Sequence, residues 1–298
     1  MFFHVNNGPF AGKEGKFLTS RNISERLYRE TLSNVSLKIN TTDETDVFEV
    51  CGRGELQMAI LIETMRREGY EFMVSKPRVI TKEEDGQLME PVESIFLDLE
   101  EDHTGIITEK LSKRKGRMIN LQNNGFGRVT LEFKVPSRGM IGFRSEFLTD
   151  TKGSGILNSL FDSYAPWFGP IPQRNSGVII ADRPGKVTQY ASLAMADRGE
   201  LIVDINTEVY KGMVVGERNK VGDLDVNIIR EKKLTNMRSA SKDNTVVLRP
   251  PKKLSLDQCI EFIAEDELIE ITPLNLRIRK MELDINKRIS QSKKDKAT

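Results

Sequence analysis

The chain has few of the residues that catalytic and metal sites usually need. It contains two histidines and two cysteines in 298 residues. Neither His4 nor His103 has a cysteine neighbour at the spacing of metal ligands, so the sequence offers no zinc site. Cys51 and Cys259 lie in different segments, which favours two reduced, idle or buried thiols over a disulfide between them.

A long apolar run and an excess of charge are also missing. No stretch of about 18 apolar residues occurs, which excludes a membrane-spanning helix. The opening Met1–Val5 is too short and too uncharged for a signal peptide. Lys and Arg number 45 against 44 Asp and Glu, giving a net charge of +1. Contact with a nucleic acid would therefore depend on local basic patches.

The nucleotide-binding and nucleophile motifs are incomplete. The glycine-rich stretch Gly8–Lys13 has one residue too few between its glycines for a P-loop, and Glu14 replaces the Ser or Thr that binds magnesium. Gly153–Gly155 lacks the spacing of a nucleophile elbow. The acidic run at 98–102 is better explained as a solvated strand end than as a divalent-ion site. We therefore expect no catalysis and no bound cofactor in this chain.

The run Gly125–Val129 resembles the core of the RNP1 motif of RNA-recognition domains. That motif needs further stacking aromatics at the positions of Arg128 and Leu131. We therefore interpret the run as turn glycines that precede a strand.

Hydrophobic periodicity predicts an α+β chain. Residues 1–80 follow the order β-α-β-β-α-β, and residues 90–168 repeat it after a short polar linker at 81–89. The second helix of the first segment has an apolar stripe and ends near Gly69; the stripe consists of Met58, Leu61, Ile62 and Met65. We predict two tandem ferredoxin-like βαββαβ sandwiches.

Residues 173–286 follow a proline-rich boundary at Pro166–Pro172 and are expected to be mainly β, with one helix after Ser255. We predict a barrel-like C-terminal domain here and a disordered tail at 287–298. The predicted strands are Val178–Ala181, Leu201–Ile205, Met213–Val215, Asp225–Ile229, Thr245–Leu248 and Leu274–Leu283.

Several motifs resemble the translational GTPases. The turn Cys51–Leu56 resembles the third domain of the group that includes elongation factor G, and Asn7–Lys16 resembles the BipA/TypA branch. Asp182–Lys186 and Lys232–Lys242 resemble the C-terminal domain of that branch. The short linker leaves no room for the extra domain that elongation factor G carries between its third and fifth domains. The chain is identified by this resemblance as a C-terminal part of a BipA/TypA protein, with segments similar to domains III and V and without the GTPase domain.

The resemblance implies docking on the ribosome, not catalysis by this chain. The expected partners are the ribosome, large-subunit rRNA near the factor-binding centre, and tRNA in the A site. The family acts in ribosome assembly and stress adaptation. GTP and Mg²⁺ are expected on the absent GTPase domain, whose hydrolysis the ribosome would stimulate. The chain is expected to be a cytoplasmic monomer without membrane contact.

Two basic clusters supply the candidate RNA-binding residues. The helix-end cluster has more cations than a helix C-terminus can satisfy; it consists of Lys110, Lys113, Arg114, Lys115 and Arg117. The loop cluster lies in a polar segment that is disordered or reaches for phosphates; it consists of Arg230, Lys232, Lys233, Arg238 and Lys242. Phosphate-driven binding weakens as salt rises. A ferredoxin-like module that binds a small regulatory molecule is the alternative.

Overall fold

The computed structural model describes residues 1–171, 174, 176–232 and 250–295. The chain forms two compact units: unit 1 combines Met1–Lys76 with Arg174–Thr298, and unit 2 is Pro77–Gln173. The mixed α+β class is confirmed. No helix within the described residues has the length and apolar character needed to cross a membrane.

Residues 1–76 begin unit 1 with the predicted βαββαβ connectivity. The strands are β1 (Phe2–Val5), β2 (Lys38–Thr41), β3 (Val47–Cys51) and β4 (Phe72–Ser75), and the helices are α1 (Ser20–Ser33) and α2 (Glu55–Arg67). The strands run antiparallel in the order β4-β1-β3-β2. The predicted apolar stripe of α2 is buried, and Gly69 follows the helix with φ 94°, a conformation that favours glycine.

Unit 2 has a second sheet with the same connectivity. Its elements are β5 (Lys82–Glu84), β6 (Gln87–Glu100), α3 (Thr104–Lys113), β7 (Arg117–Gly125), β8 (Arg128–Pro136), α4 (Ser137–Met140), α5 (Phe143–Asp150) and β9 (Ile156–Pro166). β6 pairs with both β9 and β8, and β7 pairs with β8. The core lies between the sheet and the helices and includes Leu97, Phe133 and Phe147.

The expected linker is in fact a hairpin. β5 pairs with the start of β6, and Asp85 and Gly86 occupy the two-residue turn between them with φ 52° and 72°. An Asp-Gly pair is a common signal for such a turn because both central residues need positive φ.

The rest of unit 1 contains β10 (Val178–Ala181), β11 (Gly185–Lys186), α6 (Gln189–Met195), β12 (Gly199–Leu201), β13 (Glu208–Val209), β14 (Val214–Arg218), β15 (Leu224–Val226), α7 (Leu256–Phe262), β16 (Glu267–Ile271), β17 (Leu276–Lys280) and α8 (Ile285–Asp295). The first six strands form a sheet β12-β14-β10-β15 and a ribbon β11-β13. In the part of the chain that the structure describes, no sheet closes into a barrel, so the barrel-like prediction is wrong there. The predicted strand at Thr245–Leu248 lies outside the described residues.

The barrel is not formed because the last two strands join the N-terminal sheet. β16 pairs with β4, with Leu268 opposite Ser75 and Ile271 opposite Phe72, and β17 pairs with β16. Ile269 and Ile271 are fully buried in the core that α2 covers. Burial of each such side chain contributes about 1.5–3 kcal/mol. The predicted domains at 1–80 and 173–286 thus share the six-stranded sheet and its core, while the C-terminal segment has a second core that includes Ile179 and Val215.

The helix α8 occupies the segment where the sequence analysis predicts a disordered tail. Asp284 accepts hydrogen bonds from the backbone amides of Asn286 (2.8 Å) and Lys287 (3.3 Å), which caps the helix. Arg288 then forms an ion pair with Asp225. The cap and the ion pair together hold the first turns of α8 in place.

Candidate nucleic-acid interface

Two members of the helix-end cluster are held by carboxylates of α5. Lys110 Nζ lies 2.7 Å from Asp150 and 3.6 Å from Glu146, and Arg114 lies 3.3 Å from Glu146. Arg114 also donates to the carbonyl of Ile141 at 2.8 Å. Partial burial opposes the charge of Lys110, but the two carboxylates raise its pKa. Lys110 and Arg114 therefore join α3 to α5, and each already has a carboxylate partner.

The other three members of the cluster lie on the surface. Lys113 forms an ion pair with Glu109 at 2.6 Å. Lys115 is exposed with φ 64°, directly after α3, and Arg117 is exposed at the start of β7. Lys115 and Arg117 form no ion pair among the described residues. The cluster therefore offers two unpaired cations, not five.

Only part of the loop cluster can be placed. Arg230 and Lys232 are exposed and form no ion pair within the described ranges. The Arg230 carbonyl accepts a hydrogen bond from Thr188 Oγ1 at 2.5 Å, and its guanidinium carbon lies 5.6 Å from the centre of the Tyr190 ring. The remaining members, Lys233, Arg238 and Lys242, lie outside the described residues.

A further basic residue, Lys186 at the end of β11, lies near this site and is absent from the sequence-based clusters. Two residues later, the amide of Thr188 donates to the Ile228 carbonyl at 3.2 Å, so the two segments run side by side. Lys186 is exposed. Glu208 is opposite it in the β11-β13 pair but forms no ion pair with it in the described structure. We call Lys186, Tyr190, Arg230 and Lys232 the Tyr190 patch.

Sequence reasoning missed this patch because 186–190 and 230–232 are distant in the chain. The resemblance of Asp182–Lys186 to the BipA/TypA C-terminal domain drew attention to one half of it. Only the strand and loop pairing shows that the two halves meet.

The glycine-rich loop at 8–15 binds an internal anion. The carboxylate of Glu71, which is fully buried, accepts hydrogen bonds from the amides of Gly12 (2.9 Å) and Gly15 (2.8 Å) and from Asn6 Nδ2 (2.7 Å). A Cβ on Gly15 would lie 2.4 Å from the Glu71 Cβ, so a side chain does not fit there. These amides, which a phosphate would need, already satisfy the protein's own carboxylate.

Glu14 has a structural role in the same loop. It forms an ion pair with Arg277 of β17 and accepts hydrogen bonds from Thr272 (2.5 Å) and Asn275 (2.9 Å). Burial opposes its charge, but these donors lower the pKa of Glu14. The loop is therefore fastened to the strands that the C-terminal segment adds.

The RNP1-like run is a hairpin turn. Gly125 and Gly127 have φ 73° and 77°, and Phe126 is fully exposed between them with φ 53°. Arg128 forms an ion pair with Asp98 on the neighbouring strand. The position where RNP1 needs an aromatic ring is thus taken by a paired charge, which supports the interpretation as turn glycines.

In the part of the chain that the structure describes, the cysteine thiols and potential metal ligands assemble no reactive site. Both cysteines are free thiols, and burial raises the pKa of Cys259 to about 12. Within the described ranges, no group of three or more His, Cys, Asp and Glu side chains is placed to hold a metal ion.

Unit 1 also contains a groove of about 860 Å³ between α2 and the chain around Lys253–Asp257. Polar and apolar groups contribute about equally to its surface, and the apolar part includes Leu56, Ile60 and Leu274. Lys253 on its rim is paired with Asp204 at 3.1 Å. The groove has room for a small molecule, although no convergent set of unpaired polar groups marks one.

Known proteins match this chain along nearly its whole length. A family model described as "TypA/BipA C-terminal domain" matches residues 176–285, and one described as "Elongation factor G C-terminus" matches residues 87–175. A relative from Salmonella typhimurium is 49% identical over 97% of this chain and 48% of its own length. Relatives from Bacillus subtilis (49% identical, 99% of this chain, 48% of the relative) and Haemophilus influenzae (50%, 97% and 47%) match in the same way.

All three relatives are described as "Large ribosomal subunit assembly factor BipA". The chain spans about half the length of these curated relatives. Identity near 49% over almost every residue, together with the match to the TypA/BipA C-terminal domain, shows that the chain belongs to the BipA/TypA family of translational GTPases.

Proposed function

We propose that this chain is the ribosome-binding C-terminal part of a BipA/TypA GTPase and that it acts in assembly of the large ribosomal subunit and in stress adaptation. The observation that carries the proposal is the near-complete match to relatives described as large ribosomal subunit assembly factors. Catalysis belongs to another part of the protein, where GTP and Mg²⁺ bind and the ribosome stimulates hydrolysis. The protein works as a cytoplasmic monomer without membrane contact.

The docking surfaces are the unpaired cations on the second of two ferredoxin-like sandwiches in tandem and on the C-terminal segment. They bind rRNA phosphates near the factor-binding centre and reach tRNA in the A site. Five unpaired cations support this proposal: Lys115 and Arg117 in unit 2, and Lys186, Arg230 and Lys232 in unit 1. If each binds one phosphate, the logarithm of the affinity falls by about 4 per tenfold rise in salt.

Co-sedimentation with purified large ribosomal subunits over a salt series tests the proposal. We expect salt-sensitive binding that weakens when Lys115 and Arg117 are both changed to Glu. Lys113→Gln is the matched control on the same helix end, because Lys113 is already paired with Glu109. Binding that does not depend on salt, or no binding at all, would contradict phosphate-driven docking by this chain.

The contribution of the loop cluster is tested in the same assay. A variant with Lys233, Arg238 and Lys242 changed to Glu should bind weakly if the C-terminal segment carries the main contact. Full binding by this variant would assign the affinity to Lys115, Arg117 and the Tyr190 patch.

The groove in unit 1 supports a second candidate function, in which the chain is a regulatory module that binds a small molecule. A thermal-shift screen with nucleotides and amino acids is the measurement. A saturable rise in melting temperature that Ile60→Glu abolishes would favour this function, since Ile60 lies in the groove wall and is exposed.

A further inference from the structure

Tyr190 presents an aromatic ring that the fold does not use as core. It lies in the first turn of α6 and is 38% exposed, whereas the next residue, Ala191, is buried. Its hydroxyl forms no hydrogen bond within the described residues. The ring is therefore held at the surface by the helix, at a place that packing does not require.

The cation beside this ring is also available. The guanidinium of Arg230 lies over the Tyr190 ring at 5.6 Å from the centroid and has no carboxylate partner among the described residues. Its backbone is fixed, because Thr188, which caps α6 through Ala191 N, also donates to the Arg230 carbonyl. The ring and the guanidinium are thus positioned together before any ligand arrives.

Two further cations without an ion pair among the described residues lie close to this pair along the chain. Lys186 precedes Thr188 by two residues, and Lys232 follows Arg230 by two residues, and both are exposed. The nearby acids Glu208 and Glu231 form no ion pair with these cations in the described structure. The Tyr190 ring and the planar Arg230 guanidinium offer surfaces on which a base can stack. The two flexible lysines offer positive charge to the neighbouring phosphates.

We propose that the Tyr190 patch binds a single unpaired RNA nucleotide, with the base stacked on Tyr190 and Arg230 and the flanking phosphates bound by Lys186 and Lys232. A base within a duplex hides its faces in the stack, so the site selects single-stranded RNA or a flipped-out base. This inference rests on the proposed function and assigns an RNA structure to one of its docking surfaces.

A single-stranded hexaribonucleotide carrying one 2-aminopurine is the direct probe, with an RNA hairpin duplex as its comparison. Binding to the full chain should quench the fluorescence of the unpaired 2-aminopurine. Tyr190→Leu should weaken binding about five-fold or more, because the stacking surface is lost. Tyr190→Phe should bind within about two-fold of the parent, because the ring remains.

The controls separate stacking from charge and from folding. Tyr28→Leu changes another exposed tyrosine of unit 1, on α1, and should leave binding unaltered. Lys186→Gln should reduce the salt slope by about 0.7, the value for one phosphate contact on a single strand. Tyr190→Leu should keep the parent salt slope, and both Tyr190 variants should keep the parent melting temperature.

Equal binding by Tyr190→Leu and the parent would overturn the inference, as would tighter binding to the duplex than to the single strand. The proposed function fails in a different way. If the chain binds the hexanucleotide through Tyr190 but does not sediment with ribosomal subunits, ribosome docking is wrong and the nucleotide site stands. If ribosome binding is salt-sensitive but Tyr190→Leu binds the hexanucleotide as tightly as the parent does, docking stands and the nucleotide site is wrong.

Discussion

Replacement of Lys280 by Met should destabilise unit 1 more than any change of an exposed lysine. Lys280 is 2% exposed at the end of β17, and its Nζ lies 2.7 Å from Asp223, 2.8 Å from Asp266 and 2.9 Å from Glu267. Glu267 is fully buried and is also bound by Arg174 at 2.9 Å. The ammonium therefore joins β16 and β17 to the loop that precedes β15.

The expected loss in the free energy of unfolding depends on the carboxylates that remain after Lys280 is replaced. Removal of one partner of a buried ion pair costs about 3–5 kcal/mol, because the remaining charge stays buried without compensation. Here Glu267 keeps Arg174, and the side chain of Asp266 is 62% exposed and can be hydrated. We therefore expect a loss near the lower limit, about 3 kcal/mol.

Hydrogen exchange of peptides from β4 and β16, measured across a urea series, reports the unfolding of unit 1. Lys287→Met is the matched control, because Lys287 is 71% exposed and lies 3.7 Å from Glu282. The control should change the free energy of unfolding by about 0.5 kcal/mol or less. A loss below about 1 kcal/mol for Lys280→Met would refute the reasoning that the buried ammonium is required.

The Lys280 ammonium also predicts that the stability of unit 1 depends on pH. Burial disfavours the charged form of Lys280, but Glu267, Asp223 and Asp266 outweigh this effect and raise its pKa above the usual value. A folded-state pKa above the unfolded value means that this stabilisation is fully present below about pH 10.4. It is lost as the pH rises through the folded-state pKa, and the parent should lose more stability there than Lys280→Met does.

Three further changes test other parts of the fold. Gly15→Ala should lower the melting temperature and the exchange protection of the surrounding loop, because its Cβ would lie 2.4 Å from that of Glu71; an unchanged melting temperature would contradict this packing. Ser255→Ala should cost about 1 kcal/mol in urea unfolding, because it removes a capping box, and no cost would show that the cap is dispensable. Burial raises the pKa of Cys259 to about 12, so at pH 8 iodoacetamide should alkylate Cys51 well before Cys259; equal rates by mass spectrometry would refute the burial.

Local signals predicted the βαββαβ segments well. The stripe of Met58 to Met65 and the glycine at position 69 act within a few residues, and the structure places both as expected. The position of β16 in the sheet, in contrast, could not be predicted from local patterns. Its five residues are all buried beside β4, and no local pattern states which sheet will bury them. The barrel prediction failed because sheet membership is decided by the whole core.

The candidate site shows the same limit. A run of cations between 110 and 117 suggested five free charges, yet the carboxylates that pair with Lys110 and Arg114 lie 40 and 32 residues later, in α5. The sequence could show that cations are present but not which remain unpaired. Conversely, the sequence did not show that the segment after Lys186 runs beside the segment before Arg230, which the hydrogen bond from Thr188 to Ile228 reveals.

The pairing of β4 with β16 has a consequence for how the protein is made. About 190 residues separate the paired strands along the chain. At a synthesis rate of about 5–20 residues per second, β4 leaves the ribosome some 10–40 s before its neighbour exists. During that time the edge of β4 is open, and an open apolar edge is a place where chains aggregate. Unit 2 is encoded within this interval, so all of it is synthesised before the strand that completes the first sheet.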